Sequence, residues 1–243
     1  EEKLMGWQDD TVVQGKPKWA SDPIVALADA PLASGQMTVD IRAGNAMPQL
    51  WMPSRNPYSA GRYPLGRNFT VGDEAVFRES DILTGVAADP IVERVTRVDV
   101  ENDRVEFNQG RHITDLMGNA LKRNTVVFDV PQQWVPTELF IGKRWTTAFQ
   151  RSEMKQGGVS FVHVELRVTR RETIEVPAGS FDTFAVEGVG WNTDKRRQLD
   201  VRLWLVPGLN WHVKMEQVRR KMNGRFVRTE RFELVSLYQQ NFG

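Results

Sequence analysis

The sequence predicts a mainly β protein: a large curved antiparallel sheet or half-open β-barrel in meander order, or two related sheets, with an irregular N-terminal arm. Three observations carry this. Apolar and polar residues alternate at period two over long runs, turn signals recur roughly every 8–14 residues, and hardly any stretch repeats at the 3.6 period of a helix.

Residues 1–62 read as the arm. "KPKWASDPIVALADAPLASGQ" is rich in Ala, Pro, Gly and Ser, and "MPQLWMPSRNPYSAGRYPLG" interleaves prolines with aromatics. Proline fixes φ and offers no backbone donor, so regular pairing is resisted here. Asp22 and Pro23 predict one short helix over "IVALADA", as cap and first-turn residue. Trp51, Tyr58 and Tyr63 are candidate anchors, either covering the domain's own core or sheet edge or docking on a partner.

Residues 63–243 read as the β domain. In "RVDVENDRVEFNQ", Asn102-Asp103 turns between two alternating runs, since both residues tolerate positive φ. "HITDLMGNALKRN" is read as a second hairpin about Gly118-Asn119 rather than a helix. "NTVVFDVP" sets Val126, Phe128 and Val130 on one face, with Pro131 ending the strand. In "SFVHVELRVTR", Val162, Val164, Leu166 and Val168 alternate with His163, Glu165, Arg167 and Thr169. "RETIEVPAGSFDTFAVEG" is two strands about a Val176–Gly179 corner. Pro207-Gly208 fits a type II turn in "QLDVRLWLVPGLNWHVKMEQV", and Asn223-Gly224 opens the last hairpin. "LGRNFT" and "IGKRWT" echo one another, suggesting halves 63–136 and 137–243.

A chain of 243 residues can bury roughly 70–75% of its unfolded surface, enough for one large domain or two small ones. Basic and acidic residues number 32 and 31, so no global field draws nucleic acid or an anionic membrane. "KRR" at 195–197 and "RRK" at 219–221 read as solvated turns and strand ends, with a polyanion site as the alternative. The absence of cysteine excludes disulfides, thiolate nucleophiles and Cys-based metal sites. No run approaches the ~20 apolar residues of a membrane helix. No signal-like segment opens the chain, so a targeting segment is expected to have been removed or to lie upstream.

Catalytic signals are few. Ser180 sits in A-G-S-F-D between strands, not in the strand–helix elbow of a hydrolase. "GVGWNT" lacks the third glycine of a dinucleotide loop and reads as a plain loop. His112, His163 and His212 are far apart in sequence and read as surface residues, with no metal or cofactor implied. The carboxylates lack an obvious apolar setting, so a carboxylate hydrolase is only a minor alternative. Trp204 lies out of phase with Val201, Leu203 and Leu205, so its face must be covered or bind something.

At "ETIEVPAGSFDTFAVEG", followed by "RLWLVPGLNWHVKMEQ", the chain resembles a group of exported bacterial β-rich domains of unknown function (TapB-like). In these a VPAG-[ST]-[FY] corner follows a G-x-x-W strand and precedes a W-x-x-P-G-x-G-x-V-K hairpin. The matching positions are Gly142, Trp145, Val176–Phe181, Trp204, Pro207, Gly208, Val213 and Lys214, within residues 138–217. Asn210 replaces a glycine of the pattern and is expected to take the same left-handed conformation. The resemblance implies a location in the periplasm or on the cell surface of a bacterium, and a half-barrel similar to lipoprotein-carrier folds. It brings no catalytic residue.

Together these readings predict a non-enzymatic envelope domain that binds an apolar or lipid-like ligand on a concave sheet face. Trp145, Phe161, Trp204 and Trp211 are the candidate ligand-binding residues. The alternative is an accessory subunit of an envelope assembly, docked on another protein through its arm.

Overall fold

The computed structural model describes residues 39–41, 61–155 and 157–242. The predicted helix over residues 24–30, and Trp51 and Tyr58, lie outside them. The described residues are all β and contain no helix.

The first strands are β1 (Val39–Ile41), β2 (Tyr63–Pro64), β3 (Glu74–Ser80), β4 (Ile91–Asp99) and β5 (Arg104–Phe107). Next come β6 (His112–Thr114), β7 (Ala120–Arg123), β8 (Val126–Gln132), β9 (Glu138–Leu139) and β10 (Arg144–Glu153). The last are β11 (Gly158–Val176), β12 (Gly179–Asn192), β13 (Arg197–Leu205), β14 (Lys214–Lys221) and β15 (Phe226–Gln239). Twelve of them follow one another as an antiparallel meander from β3 to β15, β9 standing aside, and β15 pairs back onto β3. The predicted curved sheet therefore closes into one barrel. The two echoing halves are parts of a single sheet, and a closed sheet has no unpaired edge to protect. Within the predicted arm, β1 continues the sheet along the end of β15. Tyr63 is buried in β2, its ring 5.5 Å from that of Phe184.

Alternation sorts the faces as predicted. Val162, Val164, Leu166 and Val168 point in and are buried, while Phe161, Glu165 and Arg167 point out. Across the outside runs a row of register partners, Arg167, Glu187, Arg202, Glu216 and Arg231, alternating in sign. Opposite charges facing each other across strands stabilise a sheet.

Three local readings are corrected. Pro131 does not end its strand: β8 runs through it to Gln132, and Val130 is exposed instead of sharing the face of Phe128. "GVGW" belongs to β12 rather than a loop. Gly190 is in a strand because nothing larger fits: a Cβ there would lie 2.4 Å from the His163 carbonyl oxygen and 2.6 Å from Val164 Cγ2.

One barrel end is plugged. Residues 63–73 cross it beneath the β13–β14 connection, with Leu65 N–H donating to Thr137 O (2.9 Å) and Gly208 N–H to Leu65 O (2.7 Å). Pro207-Gly208 makes the predicted turn, Leu209 N–H donating to Val206 O (3.1 Å). Gly208 has φ 84, and a Cβ on it would strike the Phe242 ring at 2.6 Å. Asn210 is not left-handed, the third correction. Its role is carried by the side chain: Oδ1 accepts from Asn68 N–H (2.7 Å), and Nδ2 donates to Asn68 O (2.9 Å) and Asp73 Oδ2 (3.0 Å).

Candidate functional site: the barrel lumen

Above the plug the barrel encloses a cavity of about 670 Å³, within the roughly 300–1,000 Å³ common for small-molecule sites. Its floor is aromatic. The Trp211 ring meets Phe69 at 5.7 Å and Phe107 at 6.1 Å, and His212 stacks on Phe77 at 4.8 Å. The β13–β14 loop supplies Trp211 and His212 because the Pro207-Gly208 turn sends the chain back across the barrel end. The opposite end is open, and exposed residues of its turns and strand ends, Arg111, Arg123 and Lys195, belong to the cavity lining.

Between floor and mouth the inward positions change character. On β10 the inward row runs Phe149, Arg151; on β14 it runs Met215, Gln217, Arg219; on β15, Phe232, Glu230, Arg228. Arg228 lies 2.6 Å from Glu230 and 3.7 Å from Glu79, and Arg219 lies 3.8 Å from Glu230. His112 Nδ1 lies 3.0 Å from Glu93 Oε1.

The electrostatics follow from burial and proximity. Burial works to raise Glu93, but His112, Arg123 and His212 outweigh it and hold its carboxyl at about 2. Burial, with Arg67 nearby, pushes His212 down to about 3, so its imidazole is neutral at pH 7. Burial lowers Arg67 to about 10, against the pull of Asp115. Burial and the neighbouring Arg228, Arg151 and Arg123 depress Arg219, while burial raises Glu230. These residues correct two expectations. His112 and His212 line the lumen rather than the outer surface, and Glu93 and Glu230 are carboxylates in a confined setting. Each of those carboxylates has a cationic or imidazole partner. Among the described residues no group of three His, Cys, Asp or Glu is placed to hold a metal ion.

Of the four candidate ligand-binding aromatics, Trp211 lines this cavity. Trp145 points inward on β10 but packs into the core, its Nε1 donating to Gln133 O (2.9 Å). Trp204 is on the outer face yet buried. The β11–β12 hairpin covers it, its Nε1 donating to Glu172 Oε1 (2.8 Å), and Lys214 Nζ sits 4.9 Å from its ring. Phe161 is 41% exposed on the outside of β11, across the wall from the lumen. Sequence reasoning missed Arg151, Arg228 and Arg123, and read Arg219, in the 219–221 cluster, as a solvated strand end with a polyanion site only as the alternative. The available signal was a charge in the buried phase of a strand, as Arg151 follows Phe149 two residues on.

Fold and site together define a closed antiparallel barrel, blind at one end, whose lumen is aromatic below and charged above. No family model matches the chain, and no curated protein does. Solved structures similar to the chain include two of bacterial proteins. One is a predicted exported protein with a YmcC-like fold from Bacteroides fragilis, 14% identical, with 72% of this chain and 99% of that chain covered and a TM-score of 0.45. The other is the hypothetical lipoprotein YmcC from Escherichia coli K12, 12% identical, covering 68% and 84%, with a TM-score of 0.43. The TapB-like resemblance rests on its own motif residues, and any function rests on the lumen.

Proposed function

We propose that this chain is a non-enzymatic binding domain of the bacterial cell envelope that takes a lipid-like molecule into its barrel lumen. The observation that carries the reading is a cavity closed by an aromatic floor at one end and open at the other, shaped to admit an elongated ligand apolar end first. Burial of an apolar tail against Phe69, Phe107 and Trp211 supplies the driving force, at about 25 cal/mol per Å² removed from water. The envelope location is supported by the TapB-like motif. The absence of a catalytic role is supported by the lumenal carboxylates Glu93 and Glu230, which are engaged with His112 and with Arg219 and Arg228 instead of facing one another across an open gap.

The test uses a neutral naphthylamine probe and tryptophan fluorescence. Saturable binding with quenching is expected in the wild type and in Trp204→Phe, because Trp204 lies outside the barrel wall. The quenching should shrink in Trp211→Phe, whose indole lies on the floor. Absence of saturable binding, or equal loss in both variants, would overturn the lumenal site.

A further inference from the structure

We infer that the lumen selects an anionic head group, a phosphate or carboxylate on an apolar body, and that Arg123, Arg151, Arg219 and Arg228 receive it. This rests on the proposed lipid-like ligand and names its polar end.

The first observation is an imbalance of charge. The chain as a whole is nearly neutral, with 32 basic and 31 acidic residues, yet eight Arg or Lys side chains line the cavity against three carboxylates, Glu79, Glu93 and Glu230. A merely solvated rim would mix its signs as the outer wall does, where Arg and Glu alternate across the strands. One sign gathered within low-dielectric walls focuses the field on an incoming anion.

The second observation is a structural cost. Arg219 and Arg228 are direct register partners on the inward face of β14 and β15. Like charges placed opposite each other destabilise a sheet. Glu230, shared by both arginines, and Glu79, 3.7 Å from Arg228, offset this, and Gln217 Oε1 accepts from Arg219 (3.1 Å), but Arg151 and Arg123 add two more cations to the same lining. Arg123, in register with His112 and Val126, has no carboxylate within ion-pairing distance among the described residues. A fold does not gather such a group for stability. Guanidinium forks facing one space are suited to bidentate bonds with phosphate or carboxylate oxygens.

The third observation lies deeper. Arg67 Nε, Trp134 Nε1, Trp211 Nε1, His112 Nε2 and His212 Nε2, on residues lining the cavity, are buried without a hydrogen-bond partner among the described residues. The first three can only donate and the two imidazole nitrogens donate or accept according to tautomer, so fixed donors prevail and favour an acceptor-rich guest.

The experiment is displacement of the neutral naphthylamine probe, below micelle concentrations, by dodecyl phosphate, dodecanoate, 1-dodecanol, dodecyltrimethylammonium and inorganic phosphate. In the wild type both anionic chains should bind at least about tenfold more tightly than dodecanol, the equivalent of one charge-assisted contact. The ammonium should bind more weakly still. Arg219→Gln and Arg123→Gln should each shrink the anion preference about tenfold while leaving dodecanol unchanged. Arg123 is exposed and has no ion pair among the described residues, acting on Glu93 only at longer range, so its variant keeps the test alive should Arg219→Gln fold poorly. Equal binding of anionic, neutral and cationic chains would overturn the head-group inference and leave the lumenal reading intact. Inorganic phosphate displacing the probe as well as dodecyl phosphate would overturn the apolar body. Failure of every probe, neutral included, would overturn the lumenal reading itself.

Discussion

Replacing Asn210 with glycine separates two explanations of that position. The motif resemblance makes Asn210 a stand-in for a left-handed glycine, and on that view glycine should be neutral or stabilising. The structure makes it a brace between the β13–β14 connection and the plug, bonded through its side chain to Asn68 N–H, Asn68 O and Asp73 Oδ2. Three hydrogen bonds from this buried side chain, one of them fully buried, at about 1 kcal/mol each amount to about 3 kcal/mol. Glycine adds about 0.5–1 kcal/mol of backbone entropy in the unfolded chain. Asp73 keeps its bonds to Gln240 and the Thr70 N–H but loses its partner at Oδ2 from Asn210, and burial already raises its carboxyl. The expected loss is therefore about 3–4 kcal/mol, and roughly 6–15 °C in Tm for a chain of this length. Asn210→Ala should lose nearly as much. Urea denaturation and calorimetry read both. A glycine variant within about 0.5 kcal/mol of the wild type would refute the brace and restore the backbone explanation.

Two further outcomes are expected. His212 is held at about 3 against an ordinary 6.5, so the unfolded chain binds the proton first. Its contribution is whole above about pH 6.5 and drains as the pH falls toward 3. Urea-measured stability should decline across that window, and His212→Gln should flatten the part above pH 5, where Glu93, held at about 2, does not titrate; an unchanged slope counts against a buried neutral imidazole. Gly190→Val should cost at least about 1–3 kcal/mol by overpacking, because the nearest atom to its Cβ is the His163 backbone oxygen, which cannot rotate away. Gly158→Ala, with nothing within 4 Å of its Cβ, is the matched control and should stay within about 0.5 kcal/mol by calorimetry.

The strands were legible because period-two patterning is a local property. Val162 to Val168, the Asn102-Asp103 and Gly118-Asn119 turns and the Pro207-Gly208 turn all declare themselves within a few residues. Closure was not legible. It depends on β15 pairing with β3 and on inward glycines at 188 and 190 that let neighbouring side chains approach, and no short window contains both partners. Pro131 misled for a related reason. A strand tolerates proline where its missing donor is not needed, and that depends on the neighbouring strand, with β8 meeting β10 only at Val126, Val127 and Phe128.

The site was harder to read, and the reason is physical. Aromatic residues draw attention as binding surfaces, but a barrel buries most of its aromatics in its own construction. Trp204 caps its ring with Lys214 and Glu172, and Trp145 fills core volume. Function in a closed barrel belongs to inward positions that the core does not use, and these show in the sequence as charges in apolar phase. Arg151 after Phe149, and Arg219 two residues after Gln217 and four after Met215, each look like an ordinary strand end when taken singly. Only the register, setting Arg219 against Arg228 and Phe128 against Arg151, brings them into one space. The same logic makes the arginines a better guide than the tryptophans: an inward aromatic is stabilised by the fold alone, whereas an inward guanidinium facing another is stabilised by whatever anion comes between them.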